Sequence, residues 1–236
     1  MSTCVLVVGC YRCGTSAVAG MLHKIGVNMG KKFDPPNANN PRGYWEDIEF
    51  KNLHKAFLEG EDYEKLYLEH IQDRKSSHVT WGIKDPRLCM MLPIVTERLD
   101  NSDVNHKVIE CVRSPWEIAQ SLTKSVGSKV NWLPYVRQHV DQKVENLVRY
   151  KGQKLALTFD EIFKRIDHAV EPRAVHCAFY RPDHFFKVSA RPCRFRGFDH
   201  DQAEGDRRLP GVDGAYLRPV SVHPSRALHR RVDGLT

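Results

Sequence analysis

A glycine-containing loop near the N-terminus has the residue types that bind a phosphate or a sulfate. It runs from Gly9 to Ser16 with the sequence Gly-Cys-Tyr-Arg-Cys-Gly-Thr-Ser. The two glycines allow a tight turn in which backbone N–H groups converge on one point. A full positive charge comes from Arg12, and hydroxyl donors come from Thr15 and Ser16. The residues predicted to contact the anion are Arg12, Cys13, Gly14, Thr15 and Ser16.

The residues on both sides of this loop predict the elements that position it. Val5 to Val8 are consecutive apolar residues, which are typical of a buried strand in a parallel sheet. After the loop, apolar residues repeat at helical spacing as far as Gly26, which is placed to end a helix. The positive end of the helix dipole would then face the anion. The alternative is an ordinary strand–turn–helix unit without a ligand.

A second basic residue follows another predicted strand. Val108 to Val112 read as that strand, and Arg113-Ser114-Pro115 then opens a helix with proline near its first turn. The guanidinium fork of Arg113 is suited to a phosphate dianion. Ser121 lies about two helical turns further on, and we expect it to reach back toward the same phosphate. The alternative is a helix start with a solvated arginine.

A third basic segment, Lys84-Asp85-Pro86-Arg87, follows a short strand predicted from Val79 to Ile83. Strands alternate with helices over residues 1–168, which predicts right-handed crossovers and a parallel sheet. Ligands of such sheets bind at the carboxyl ends of the strands, and all three basic loops lie there. The sequence therefore predicts an α/β fold with three layers, α/β/α, around a central parallel sheet. Together with the glycine loop after its first strand, this fold resembles that of P-loop nucleotide hydrolases.

The loop at residues 9–16 resembles a P-loop, except that Thr15 stands where the lysine is required. The segment is more similar to the 5′-phosphosulfate loop of sulfotransferases that use 3′-phosphoadenosine 5′-phosphosulfate, with Cys13 in place of the usual serine. The Arg113 segment resembles the 3′-phosphate motif of that family. Residues 81–87 (Trp-Gly-Ile-Lys-Asp-Pro-Arg) and 43–46 (Gly-Tyr-Trp-Glu) resemble segments of its bacterial-type and polysaccharide-modifying members. The resemblance extends over about residues 4–166.

This resemblance implies an enzyme that moves a sulfuryl group from that donor to a hydroxyl or amine acceptor. It implies that Glu46 takes the acceptor proton, and that Lys84 and Arg12 stabilise the charge of the transferred group. Cys13, Gly14, Thr15, Ser16, Arg113 and Ser121 complete the implied donor site, and no metal is required. The acceptor is expected to be a small molecule or a carbohydrate, of unspecified identity.

Other interpretations of the same residues stay open at this point. Glu46 is also typical of a helix start, and Asp85 can form an ion-pair cluster with Lys84 and Arg87. Should Glu46 not be the base, Asp47 and His54 are the next candidates. For the protein as a whole, one alternative is a degenerate P-loop nucleotide-binding or nucleotide-kinase-like protein without sulfotransfer. Another is a thiol–disulfide oxidoreductase, based on Cys10-Tyr11-Arg12-Cys13.

Composition narrows the class of protein. The chain has 236 residues, a formal net charge of +7 and seven cysteines. The odd cysteine count favours a reducing, cytoplasmic location, and no apolar run is long enough to predict a membrane span. The N-terminus leads directly into a predicted strand, so we expect no signal peptide. The charge suits an anionic small molecule, and we expect no nucleic-acid partner. The oligomeric state cannot be predicted.

The composition changes near residue 168. Residues 169–236 contain eleven arginines but one lysine, and apolar periodicity is lost. We therefore divide the chain into a sulfotransferase-like α/β domain, residues 1–168, and an Arg- and Pro-rich C-terminal segment, residues 169–236. This segment is either a flexible basic tail or an interruption of the native domain, and it is assigned no function.

Overall fold

In the part of the chain that the structure describes, four strands form one sheet in which every pair of neighbours is parallel. A computed structural model describes residues 2–37, 40–127 and 130–168, with side chains as far as Phe163. The strands are β1 (Thr3–Val8), β2 (Thr80–Lys84), β3 (Asn105–Val112) and β4 (Gln153–Thr158). Their order is β2-β1-β3-β4. The order of the strands reverses beside β1, which is where ligand sites of open parallel sheets are found.

Helices flank this sheet and confirm the predicted α/β fold. They are α1 (Thr15–Lys24), α2 (Ile48–Glu59), α3 (Glu64–Ser77), α4 (Leu88–Asn101), α5 (Pro115–Val126), α6 (Trp132–Arg149) and α7 (Phe159–His168). None of the helices in the described part of the chain is long and apolar enough to cross a membrane. The proposed C-terminal segment, residues 169–236, lies outside the described residues.

Both faces of the sheet are buried at β1, which explains the uninterrupted apolar run of this strand. Val5 and Val7 belong to a core that contains residues of α1, α5 and the first half of α6. Cys4, Leu6 and Val8 belong to a second core with residues of α2, α3 and α4. Because alternate residues of a strand point to opposite faces, one strand contributes to both cores.

The third strand begins earlier than its apolar pattern predicts. β3 starts at Asn105, three residues before Val108, and Asn105 pairs with Thr3 of β1. Its first residues are exposed or half-buried, so they carry no hydrophobic signal. Backbone pairing with β1, which a local pattern does not report, extends the strand.

Candidate functional site

The loop between β1 and α1 has the backbone of a tight turn. Gly14 has a φ of 90° and stands directly before the first residue of α1. Arg12 is also left-handed, with a φ of 64°. A Cβ on Gly9 would lie 2.8 Å from Cγ2 of Thr15. The turn thus needs both glycines. Helix α1 begins without a side-chain cap and without an acidic residue in its first turn, which leaves its first N–H groups suited to an anion.

The two predicted phosphate motifs are in direct contact. Nε of Arg12 donates a hydrogen bond to Oγ of Ser121 over 3.0 Å. Nη1 of Arg113 donates to the backbone oxygen of Arg12 over 2.9 Å. The structure thus brings together residues that are about a hundred positions apart in the chain. Both guanidinium groups lie at the carboxyl edge formed by β1 and β3.

Arg113 is held by an aromatic ring that the sequence had not linked to it. The guanidinium carbon lies 3.8 Å from the centre of the Phe159 ring, a cation–π contact. Nε of Arg113 is buried without a hydrogen-bond partner among the described residues, and the carboxylate of Glu117 is 3.6 Å from it. Phe159 also lies beside Gly14. One ring therefore packs against both predicted phosphate motifs.

A capping box fixes Phe159. Oε2 of Glu161 accepts from the backbone N–H and the hydroxyl of Thr158, each over 2.9 Å, and N–H of Glu161 donates back to Oγ1 of Thr158 over 3.2 Å. This pattern satisfies free N–H groups at the start of α7. The Thr-x-x-Glu spacing of Thr158 and Glu161 is a signal that the sequence offers for this capping box.

Lys84 joins three separate segments at the end of β2. Its Nζ donates to Oε1 of Glu46 over 2.6 Å, to Oγ of Ser16 over 3.2 Å and to the backbone oxygen of Tyr44 over 3.1 Å. All three ammonium protons are therefore used. The side chain of Lys84 is 2% exposed, and that of Glu46 is 11% exposed. The pair is shielded from water but is open on the side of the carboxylate.

The nine predicted site residues therefore form two connected groups. Arg12, Arg113 and Ser121 form one, and Ser16, Lys84 and Glu46 form the other, with the turn between Arg12 and Ser16 common to both. Cys13 and Thr15, which belong to this turn, are buried. Sequence reasoning missed Asn40, whose Nδ2 donates to Oγ of Ser16 over 3.3 Å; no local pattern marked it.

The two reserve candidates for the base are already engaged elsewhere. Asp47 caps α2 by accepting from N–H of Glu49 and forms a buried ion pair with Arg74. The ring of His54 is fully buried, with Nδ1 2.9 Å from a carboxylate oxygen of Asp85 and Nε2 3.1 Å from the hydroxyl of Tyr67. Neither group can contact an acceptor in this arrangement.

Asp85 forms an ion pair with Arg87 and none with Lys84 in the structure. One of its oxygens accepts from both Nε and the backbone N–H of Arg87, each over 2.9 Å. Burial opposes its ionisation, but the charge of Arg87 and the hydrogen bond with His54 outweigh burial and hold the pKa of Asp85 well below its usual range. Lys84 is paired with Glu46, so the ion-pair cluster considered from the sequence divides into two separate pairs.

The cysteines of the loop do not have the environment of a redox centre. Cys10 and Cys13 are free and buried. Burial raises the pKa of Cys10 to about 12 and that of Cys13 to about 11. Since the thiolate is the reactive form, both thiols are expected to react slowly at neutral pH. Within the described ranges, no group of three His, Cys, Asp or Glu residues could hold a metal ion.

Comparison with known proteins adds no family to this description. No protein-family model matches the chain, and no curated protein matches its sequence. What the structure shows is an α/β protein with a four-stranded parallel sheet. Three basic side chains, Arg12, Lys84 and Arg113, lie in segments at the carboxyl edge of that sheet. The interpretation of function therefore depends on the contacts of these residues.

Proposed function

We propose that the protein is a sulfotransferase that moves a sulfuryl group from 3′-phosphoadenosine 5′-phosphosulfate to a hydroxyl or amine of a small molecule or carbohydrate. One observation carries the proposal. The turn between β1 and α1 contacts Ser121 through Arg12, and it contacts the Lys84–Glu46 pair through Ser16. A donor that carries two phosphate-type groups and a reacting bond needs both kinds of pair, Arg with Ser and Lys with Glu, at one edge of the sheet.

The donor is bound by two groups of residues in this proposal. The N–H groups at the start of α1, with Arg12, Thr15 and Ser16, bind the 5′-phosphosulfate. Arg113 and Ser121 bind the 3′-phosphate, and Arg113 is suited to this part because its Nε lacks a hydrogen-bond partner among the described residues. Charge-assisted hydrogen bonds to phosphate are the strong kind, so Arg113 should contribute a large share of donor affinity.

The transfer step uses the Lys84–Glu46 pair. A bond forms between the acceptor oxygen and sulfur while the bond between sulfur and the 5′-phosphate oxygen breaks. The acceptor proton goes to Glu46, and Lys84 and Arg12 stabilise the charge on the sulfuryl and leaving oxygens. By analogy with phosphoryl transfer, positioning and electrostatics supply most of the catalysis.

The free thiols of the described cysteines fit the expected cytoplasmic location.

A second candidate function has one observation in its favour. Lys84 reaches Ser16 of the loop from the neighbouring strand, over 3.2 Å. Its ammonium group could therefore replace the lysine that a P-loop has where this chain has Thr15. A nucleotide-binding or nucleotide-kinase-like protein without sulfotransfer is the alternative, and it predicts a preference for ATP.

Binding of two nucleotides distinguishes these candidates. We expect 3′-phosphoadenosine 5′-phosphate to bind in calorimetry much more tightly than ATP. We also expect transfer of labelled sulfuryl groups in a screen of alcohols, sugars and amines. Arg113→Ala should weaken binding of the bisphosphate by about 1.5–3 kcal/mol, the value of a hydrogen bond to a charged group, and should change ATP binding less.

Arg149→Ala is the matched control, because Arg149 is exposed at the end of α6 and pairs only with Glu145 among the described residues. It should leave both affinities unchanged. Equal affinity of the parent protein for the two nucleotides would contradict the sulfotransferase proposal. An unchanged bisphosphate affinity in Arg113→Ala would remove Arg113 from the site.

A further inference from the structure

Trp45, the residue before Glu46, has an unusual backbone conformation. Its φ is 58°, in the left-handed region that side chains other than glycine seldom adopt. Such a conformation costs energy and persists only where the surroundings enforce it. The neighbouring contacts show what enforces it here.

The indole of Trp45 is fixed on several sides. Its Nε1 donates to the backbone oxygen of Arg42 over 3.0 Å. The ring centres of His23 and Phe33 lie 5.0 Å and 5.2 Å from that of Trp45. These contacts hold the ring against α1 and leave it little room to move.

Gly20 provides the surface on which the indole lies. It is a buried residue inside α1, where glycine is less favourable than alanine. A Cβ at this position would lie 2.8 Å from Nε1 and 3.0 Å from Cε2 of Trp45. The close approach of the indole therefore accounts for a glycine inside a helix.

The residues on each side of this contact connect it to the site. Glu46 directly follows Trp45 in the chain, and its Oε1 lies 2.6 Å from Nζ of Lys84. Asp47 then caps α2 and pairs with Arg74. With Trp45 anchored on α1 and Asp47 anchored on α2, the backbone between them has a fixed direction, and this direction sends the Glu46 carboxylate to Lys84.

We propose that Gly20 and Trp45 are positioning residues that set the ion pair between Glu46 and Lys84. Their effect on turnover depends on the proposed function, in which Glu46 is the base. Their effect on the ion pair does not, and it is measured separately. A methyl group at position 20 displaces the indole, turns the backbone at Trp45 and withdraws Glu46 from Lys84.

The ion pair is tested by urea unfolding, without any activity assay. Gly20→Ala should lower the unfolding midpoint of the parent protein, although alanine favours helix. In the Trp45→Ala background the same change should raise the midpoint, because nothing then opposes the methyl group. Glu46→Gln should lower the midpoint in the parent, since it leaves buried Lys84 without its charge partner, and should lower it less in Gly20→Ala.

Two results would overturn the positioning role. One is a higher midpoint for Gly20→Ala in the parent protein. The other is an equal effect of Glu46→Gln with and without Gly20→Ala, because residues in one network must show coupling. Trp116→Phe is the matched control for the tryptophan variants, since Trp116 on α5 is 60% exposed. It should not change the effect of Gly20→Ala.

Turnover gives the second readout. Gly20→Ala should lower kcat by about 10²-fold, as a misplacement of about 1 Å does, with the KM for the donor unchanged. Gly20→Ala combined with Trp45→Phe should regain part of the kcat, because phenylalanine lacks Nε1. An unchanged kcat together with a broken ion pair would refute Glu46 as the base while supporting the positioning role. A parent protein that transfers no sulfuryl group refutes the proposed function and leaves the urea result valid.

Discussion

At the scale of single residues, the site gathers its positive charge from three segments of the chain. Arg12 belongs to the loop after β1, Lys84 is the last residue of β2, and Arg113 follows β3. The lysine of a P-loop is missing at Thr15, yet an ammonium group from another strand lies beside Ser16. Lys84 forms an ion pair with Glu46, and both side chains are largely shielded from water. Glu46 is therefore an acidic residue in direct contact with a cation of this edge.

Replacement of Glu46 tests its part as the base. Glu46→Gln keeps the shape of the side chain and a hydrogen-bond acceptor for Lys84 but removes the proton acceptor. We expect turnover of labelled donor to fall by about 10²–10⁴-fold, the usual share of general acid–base catalysis, with affinity for the bisphosphate nearly unchanged. Glu145→Gln, an exposed change on α6, is the control. Parent-like turnover on a good acceptor would place the base elsewhere.

At the scale of elements, the start of α7 connects β4 to the predicted phosphate motifs at Gly14 and Arg113. Thr158→Ala removes the cap of α7 and should lower the free energy of unfolding by about 1 kcal/mol. Because the cap also holds Phe159 against Arg113, binding of the bisphosphate in calorimetry should weaken as well. Asn131→Ala removes a comparable cap, that of α6, and should lower stability without weakening binding. Equal affinity for the bisphosphate in Thr158→Ala and Asn131→Ala would show that α7 does not support nucleotide binding.

The elements also show which features the sequence can and cannot predict. The apolar run of β1 and the glycines of the loop predicted a strand, a turn and a helix. The structure has all three, although α1 begins at Thr15, inside the predicted loop. These are local features, since adjacent residues determine them. The contacts of Trp45 with Gly20 and of Phe159 with Arg113 join distant segments. Each depends on how layers pack, so no spacing along the chain could have revealed it.

At the scale of the whole molecule, a buried polar network links the layers on one side of the sheet. Asp85, which follows β2, contacts both Arg87 and His54 of α2, and His54 contacts Tyr67 of α3. All of these side chains are buried. Buried charges are tolerated when they are paired and hydrogen-bonded. When one partner is lost, the remaining buried group keeps its desolvation penalty without a compensating contact. The packing of α2 and α3 therefore depends on the ionisation of Asp85.

This network predicts how stability changes with pH. The pKa of Asp85 is lower in the folded protein than in the unfolded chain, where it is about 3.9, because Arg87 and His54 outweigh the opposing effect of burial. The unfolded chain therefore binds the proton first, and the stability that Asp85 contributes above about pH 4 is lost as the pH falls below that value. Urea unfolding followed by circular dichroism between pH 7 and pH 2 should show this decline.

Asp85→Asn should lower the free energy of unfolding at pH 7 by about 3–5 kcal/mol, the cost of breaking a buried pair, and should flatten the decline of stability with falling pH. Asp73→Asn is the control, because the Asp73–Lys31 pair is exposed and surface pairs contribute little. A decline of the same size in Asp85→Asn as in the parent would show that other carboxylates govern acid unfolding.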